Sequence, residues 1–203
     1  PHLLRVIESV GEIDAAIAVA SFRSSRHDWA RPMFVASGRQ TVAVDLRHPL
    51  VDAAVPNSVT LAPPYGLLIT GSNMSGKSTF LRTVGANVVM AQTINTALAT
   101  SYAAPVYNVR SCIGRADDMI AGKSYYLVEV QSVLSIVTAS GRSTPHLFLF
   151  DELFRGTNAV ERVAAAEAVL RELSTGARSH VVLATTHDAD LVEYLQDCCT
   201  VCH

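Results

Sequence analysis

The stretch Gly71-Ser72-Asn73-Met74-Ser75-Gly76-Lys77-Ser78 decides the fold, because it fits G-x-x-x-x-G-K-[ST] in full. An apolar run at 66–70 reads as a strand leading into it, and helical spacing from residue 77 to about 98 reads as a helix leading out. That strand–loop–helix context is the one the motif requires. Physically, the glycines let the backbone curl so that successive N–H groups and the helix N-terminus face a β-phosphate. Lys77 adds a point charge for β- and γ-phosphate oxygens. Ser78 offers a hydroxyl to Mg²⁺, which prefers hard oxygen ligands and keeps several waters.

Such a loop needs a second metal contact from a neighbouring strand. His146-Leu147-Phe148-Leu149-Phe150-Asp151-Glu152 is an apolar strand ending in two acids, far enough from Lys77 to leave room for a helix, a strand and a helix. Asp151 is expected in the Mg²⁺ shell. Glu152, one residue on, is expected to polarise the attacking water, help worth about 10²–10⁴ in rate. A second carboxylate favours hydrolysis over phosphate transfer to another substrate. Val181-Val182-Leu183-Ala184-Thr185-Thr186-His187-Asp188 again puts polar residues after an apolar run. Ligands in such sheets bind beyond the carboxyl ends of the strands, so His187 is expected to sense the γ-phosphate.

Around these motifs the pattern alternates. Strands are expected at 66–70, 106–113, 146–150 and 180–185, and helices at 77–98, 124–140, 159–173 and 189–195. The fold class is therefore α/β, with a mainly parallel sheet flanked by helices. Earlier, apolar residues at 3, 6, 7, 10, 13 and 17 predict a helix over 3–22 with a break near Gly11. Short extended runs follow at 33–35 and 41–46, and the prolines at 49, 56, 63 and 64 predict mostly loop and strand edge over 47–64.

Composition narrows the classes. The 203 residues are 49% hydrophobic and 17% charged, with a net charge of −2. That excludes a disordered chain and argues against a freestanding nucleic-acid binder, which is normally basic. An aromatic content of 6% argues against base-stacking platforms. No apolar run reaches the roughly 18 residues of a membrane-spanning helix. Starting at Pro1 with no signal-peptide pattern, the chain is expected to be a piece of a longer cytoplasmic protein. Of four cysteines, three crowd the end, where Cys199-Thr200-Val201-Cys202-His203 spells the C-x-x-C-H of haem attachment. Nothing upstream supplies a haem pocket, so Cys198 to Val201 is read as a short apolar strand that uses Cys as a small hydrophobe.

With these motifs placed, the chain resembles the MutS family of DNA mismatch-repair ATPases, members of the ABC-type P-loop NTPase fold. Thr70-Gly71-Ser72-Asn73-Met74-Ser75-Gly76-Lys77-Ser78-Thr79 is similar to the family's T-G-x-N-M-x-G-K-S-T. Arg47-His48-Pro49 looks like its R-H-P segment, and Ala116-Asp117-Asp118 with Gly122-Lys123-Ser124-Tyr125-Tyr126-Leu127-Val128-Glu129-Val130 looks like its A-D-D…G-x-S-x-F-x-V-E-M block. Asp151-Glu152-Leu153-Phe154-Arg155-Gly156-Thr157 matches D-E-x-x-R-G-T, and Thr186-His187 matches T-H.

The resemblance implies residues 1–30 as the end of a helical lever and 31–203 as an ATPase domain cut before its last strands. It implies ATP and Mg²⁺, with residues 71–79 around the phosphates, Ser78 and Asp151 at the metal, and Lys77, Glu152 and His187 in hydrolysis. It also implies a homodimer with composite sites, in which Ser124 starts a helix facing the partner's γ-phosphate and Arg155 to Asn158 lie near the dimer contact. Duplex DNA would be held by segments outside this chain, in a clamp that ATP closes and hydrolysis opens, for mismatch repair or related DNA processing. An ATP-dependent assembly module without mismatch recognition is the alternative. The chain departs from the repair proteins at Phe154, where they usually have a small residue, at Glu161, where they usually have Gly, and at Cys112, where an Arg is common. Met74-Ser75, Gly156-Thr157-Asn158 and Glu161-Arg162 look closer to shorter MutS-like proteins. Residues 54–61 correspond to the base-binding region but hold no aromatic.

Overall fold

A computed structural model describes residues 2–63, 66–72, 74–114, 125–139, 144–175 and 180–202. Its elements run α1 (His2–Ser24), β1 (Met33–Phe34), β2 (Thr41–Leu46), β3 (Asn57–Leu61), β4 (Gly66–Ile69), α2 (Lys77–Ile94), β5 (Ser101–Ala104), β6 (Asn108–Cys112), α3 (Tyr125–Ala139), β7 (His146–Asp151), α4 (Ala159–Thr175), β8 (Val181–Thr185), α5 (Ala189–Leu195) and β9 (Cys199–Cys202).

Five of the strands form an all-parallel sheet in the order β6-β7-β8-β4-β9. Its inner strands Gly66–Ile69, His146–Asp151 and Val181–Thr185 are buried along their length, which is why they read as continuous apolar runs. The strand alternation sorts their side chains to two faces. Leu67, Ile69, Leu147, Leu149, Val181 and Leu183 join one core with Leu81, Val84, Val88 and Ala91 of α2. Leu68, Phe148, Phe150, Val182 and Ala184 join the other with residues of α3, α4 and α5. The fold is thus α/β, with helices on both faces of the parallel sheet.

A second, mixed sheet of order β1-β5-β2-β3 adds Ala43, Leu46, Val59, Leu61, Tyr102 and Ala104 to the α2 side of the core. Asn57–Leu61 lies in the segment read as mostly loop and strand edge, and it is an edge strand that pairs antiparallel with β2. Another strand was not expected from the sequence. Ser101–Ala104 precedes Pro105, whose missing N–H ends the pairing, and only then does β6 begin.

Two helix boundaries also differ. α1 runs without a break through Gly11, and none of its residues is buried, so no packing partner bends it there. α2 stops at Ile94 rather than near 98. Asn95 takes a left-handed φ of 52° and sends its N–H to Met90 O, closing the helix. Arg23, near the end of α1, donates to Ile94 O at 2.8 Å, Asn95 O at 3.1 Å and Thr96 Oγ1 at 2.9 Å, placing a cation on the last carbonyls of α2.

The cysteine run forms the strand β9, which pairs with β4 at the sheet edge. Burial raises the Cys199 thiol, and burial with the adjacent Cys199 pushes Cys198 up to about 12, so both pack as neutral thiols. His203 lies outside the described residues. No helix among the described residues is long and apolar enough to cross a membrane.

Candidate functional site

The sheet order brings the separated motifs together. β8 lies between β4 and β7, and the registers Ile69↔Thr185 and Asp151↔Thr185 set the last residues of three strands in one row. Backbone bonds extend that row beyond the strands: Thr186 N donates to Ile69 O at 3.0 Å, and Glu152 N donates to Thr185 O at 3.2 Å. The loop after β4, the acids after β7 and His187 after β8 therefore open at one carboxyl edge.

The loop has the backbone its glycines permit. Gly76 stands at φ 97° as the residue before α2, a conformation that side chains disfavour, and its carbonyl accepts the first helical bond from Phe80 N at 2.8 Å. Met74 is fully exposed at φ 67°. Lys77 is buried to 7% exposure, and its Nζ donates to Gly71 O and Ser72 O, both at 2.8 Å. Those two carbonyls hold the ammonium folded back across the loop. Asn73 lies outside the described residues, as do Ala116-Asp117-Asp118 and Gly122-Lys123-Ser124. Residues 74–79, with Glu152 and Arg155, line a cleft of about 300 Å³.

Ser78 Oγ donates to Asp151 Oδ1 at 2.8 Å, and Thr185 Oγ1 donates to the same oxygen at 2.7 Å. Arg82 Nη2 lies 3.9 Å from Asp151 Oδ2. Adjacent oxygens around an octahedral Mg²⁺ with bonds of 2.0–2.1 Å sit about 2.9 Å apart. The Ser78–Asp151 spacing fits that ion. Among the described residues, no group of three or more His, Cys, Asp or Glu could hold a metal. A cation here would rely on one carboxylate, one hydroxyl, waters and phosphate oxygens, which is the Mg²⁺ habit.

Glu152 is buried to 7% exposure, with φ at 50°. Its backbone N–H also reaches Thr185 Oγ1 at 3.1 Å. Its carboxylate oxygen Oε2 meets the Arg155 guanidinium and lies 3.3 Å from His187 Nδ1. Glu152, Arg155 and His187 thus form one cluster, of which Glu152 and Arg155 line the cleft. His187 is fixed from behind. Arg162 of α4 grips the next residue, Asp188, through two bonds of 3.0 and 2.7 Å, which hold the Asp188 carboxyl below the usual carboxylate range.

Several of these residues were given no place in the site from sequence. Thr185 bridges Asp151 and Glu152, and only its position after an apolar run signalled it. Arg82 sits on α2 with no local pattern to mark it. Arg155, expected near a dimer contact, faces Glu152. Glu161 has a local role, since its N–H takes Asn158 Oδ1 at 3.0 Å and its carboxylate accepts from the Thr157 hydroxyl, capping the start of α4. Cys112 is buried at the end of β6. Arg47 pairs with Asp28 at 3.1 Å and donates to Ala54 O at 2.7 Å, in a separate cleft of about 130 Å³ that also includes Arg26 and His48.

Comparison with known proteins gives a consistent result. Residues 67–203 match the model of MutS domain V. The DNA mismatch repair protein MutS of Streptococcus equi subsp. equi (strain 4047) is 32% identical over 202 residues, 95% of this chain and 23% of that protein. Those of Petrotoga mobilis (strain DSM 10674 / SJ95) and Bacillus subtilis (strain 168) are 33% and 34% identical, over 91% and 84% of this chain and 24% and 20% of theirs. The chain spans about a quarter or less of the length of these relatives. With the domain match covering most of its length, this chain belongs to the MutS family of DNA mismatch repair proteins.

Proposed function

We infer that this chain is a P-loop ATPase module of the ABC type, the nucleotide-hydrolysing part of a dimeric DNA-associated clamp. The observation that carries the reading is the shared edge at which Lys77, Ser78 and the buried Glu152 line one cleft, with Asp151 bonded to the Ser78 hydroxyl.

In this reading the loop amides and the N-terminus of α2 receive the phosphates of ATP. Lys77 exchanges its two carbonyl partners for β- and γ-phosphate oxygens. When bound, Mg²⁺ at Ser78 and Asp151 neutralises charge on the phosphates. Thr185 keeps Asp151 in place through its hydroxyl. Glu152 accepts a proton from the attacking water, and its burial lets it act in a dry pocket. Arg155 holds the Glu152 carboxylate in the described structure and has to yield it for a water to approach. His187 stands beside Glu152, where it can follow the γ-phosphate. Glu152 also separates this chemistry from kinase transfer, which has no need of a second carboxylate.

The dimer with Ser124 supplied in trans, mismatch repair as the pathway, and duplex DNA bound by segments outside this chain all follow from the family resemblance. The second reading, an ATP-driven assembly module that does not act on DNA, is separated by one assay. ATP turnover of the full-length protein is measured with and without duplex DNA at rising salt. Salt-sensitive stimulation is expected. No response at low salt would remove the clamp and leave the assembly module.

A further inference from the structure

The turn that carries Glu152 is strained. Glu152 and Phe154 both have left-handed φ, 50° and 60°, and neither is glycine. Such residues are disfavoured for non-glycine side chains and persist only where the surroundings over-determine them. On one side the restraint is β8, through Thr185 O and Oγ1 on the Glu152 N–H. On the other side it is α3. Glu129, buried to 3% exposure, accepts the Phe154 N–H on Oε1 at 2.7 Å. One helical turn earlier, the Tyr126 ring lies 6.3 Å from the Phe154 ring, at 60°. Gly156 is packed so closely on Tyr126 that an added Cβ would lie 3.0 Å from the Tyr126 Cβ.

The geometry points to Glu129 as a positioning residue for Glu152. Resting on the ATPase reading above, its carboxylate ties the first turns of α3 to the strained turn, so that the carboxyl of Glu152 is aimed only while α3 is seated. A charge-assisted bond to a buried amide is of the strong kind, and the amide that Glu129 holds lies two residues along the turn from Glu152, while Glu129 does not line the cleft itself. A shift at the start of α3 would then be felt at Glu152 through Phe154 rather than through the nucleotide.

The test uses the full-length protein and two variants, Glu129→Ala and Glu129→Gln. Exchange of the Phe154 amide is read by hydrogen–deuterium exchange, alongside nucleotide affinity and single-turnover hydrolysis of ATP. In Glu129→Ala the Phe154 amide should exchange about 10- to 100-fold faster. Hydrolysis should fall about a hundredfold, the usual cost of a misplaced catalytic group, with nucleotide affinity unchanged. Glu129→Gln, which keeps a carbonyl oxygen as acceptor, should restore both to within about threefold. An unchanged Phe154 amide in Glu129→Ala, equal losses of affinity and turnover, or a Gln variant no better than Ala would overturn the assignment. A wild-type protein that does not hydrolyse ATP would refute the ATPase reading, while the exchange of the Phe154 amide still decides the Glu129–Phe154 tie.

Discussion

Replacing Phe154 by Gly and by Ala separates backbone strain from side-chain packing at the turn beside Glu152. Phe154 is 4% exposed, and its φ of 60° lies in the left-handed region. Either substitution removes the buried ring, at a cost of about 3–5 kcal/mol for Phe→Ala. The two variants then differ only at the backbone. Left-handed geometry costs a non-glycine residue roughly 1–2 kcal/mol, which Gly escapes. Gly in turn loses about 0.5–1 kcal/mol more chain entropy on folding than Ala. The balance favours Phe154→Gly over Phe154→Ala by about 0.5–1 kcal/mol, or about 2 °C in Tm for a chain of this size. At ordinary positions the order is the reverse, so the sign is the test. Equilibrium urea unfolding of both variants, with equal m-values, reads it directly. An Ala variant as stable as the Gly variant, or more stable, would refute the claim that this turn is strained.

Two further outcomes follow from ion pairs. Arg162→Met should destabilise the chain by about 1–3 kcal/mol at neutral pH, between the values for exposed and buried pairs. The bonds from Arg162 hold the Asp188 carboxyl below its ordinary value, so this stability is present above about pH 4 and is lost as pH falls through the lower folded value. The gap between wild type and Arg162→Met, measured by urea unfolding, should therefore be flat from pH 5 to 8 and close under acid. Arg23→Met removes the cation from the last carbonyls of α2 and should cost about 1 kcal/mol. Because α1 buries none of its residues, the same change should expose residues 25–31 to limited proteolysis, and an unchanged cleavage pattern would contradict the role given to Arg23.

What could be read from sequence followed the physics of burial. β7 and β8 are covered on both faces, so their runs of Leu, Phe and Val stand out, and the polar residues that end them are the ones that meet at the sheet edge. In the second sheet the extended runs at 33–35 and 41–46 were legible as β1 and β2, while β3 and β5 were obscured for the opposite reason. β3 points only Val59 and Leu61 inward from a proline-punctuated segment, and β5 is four residues long and ends at Pro105. The turn between β4 and α2 could be named in advance because its glycines mark a strand-to-helix loop, and Gly76 takes the left-handed φ that such a turn needs. Thr185 on Asp151 and Glu129 on the Phe154 amide could not, since each joins segments that only the tertiary fold brings together, and Arg155 reaches Glu152 through the local conformation of the turn they share. The positive φ at Phe154 left no trace, because a bulky residue stands where that backbone favours a small one.

The most direct measurement is single-turnover ATP hydrolysis by Glu152→Gln beside wild type, with nucleotide affinity determined for both. Gln preserves the size of the side chain and its contact with Arg155 but cannot accept a proton. The account predicts an unchanged affinity and a loss of turnover of about 10²–10⁴. A Glu152→Gln protein that hydrolyses ATP at the wild-type rate would contradict the account at its centre.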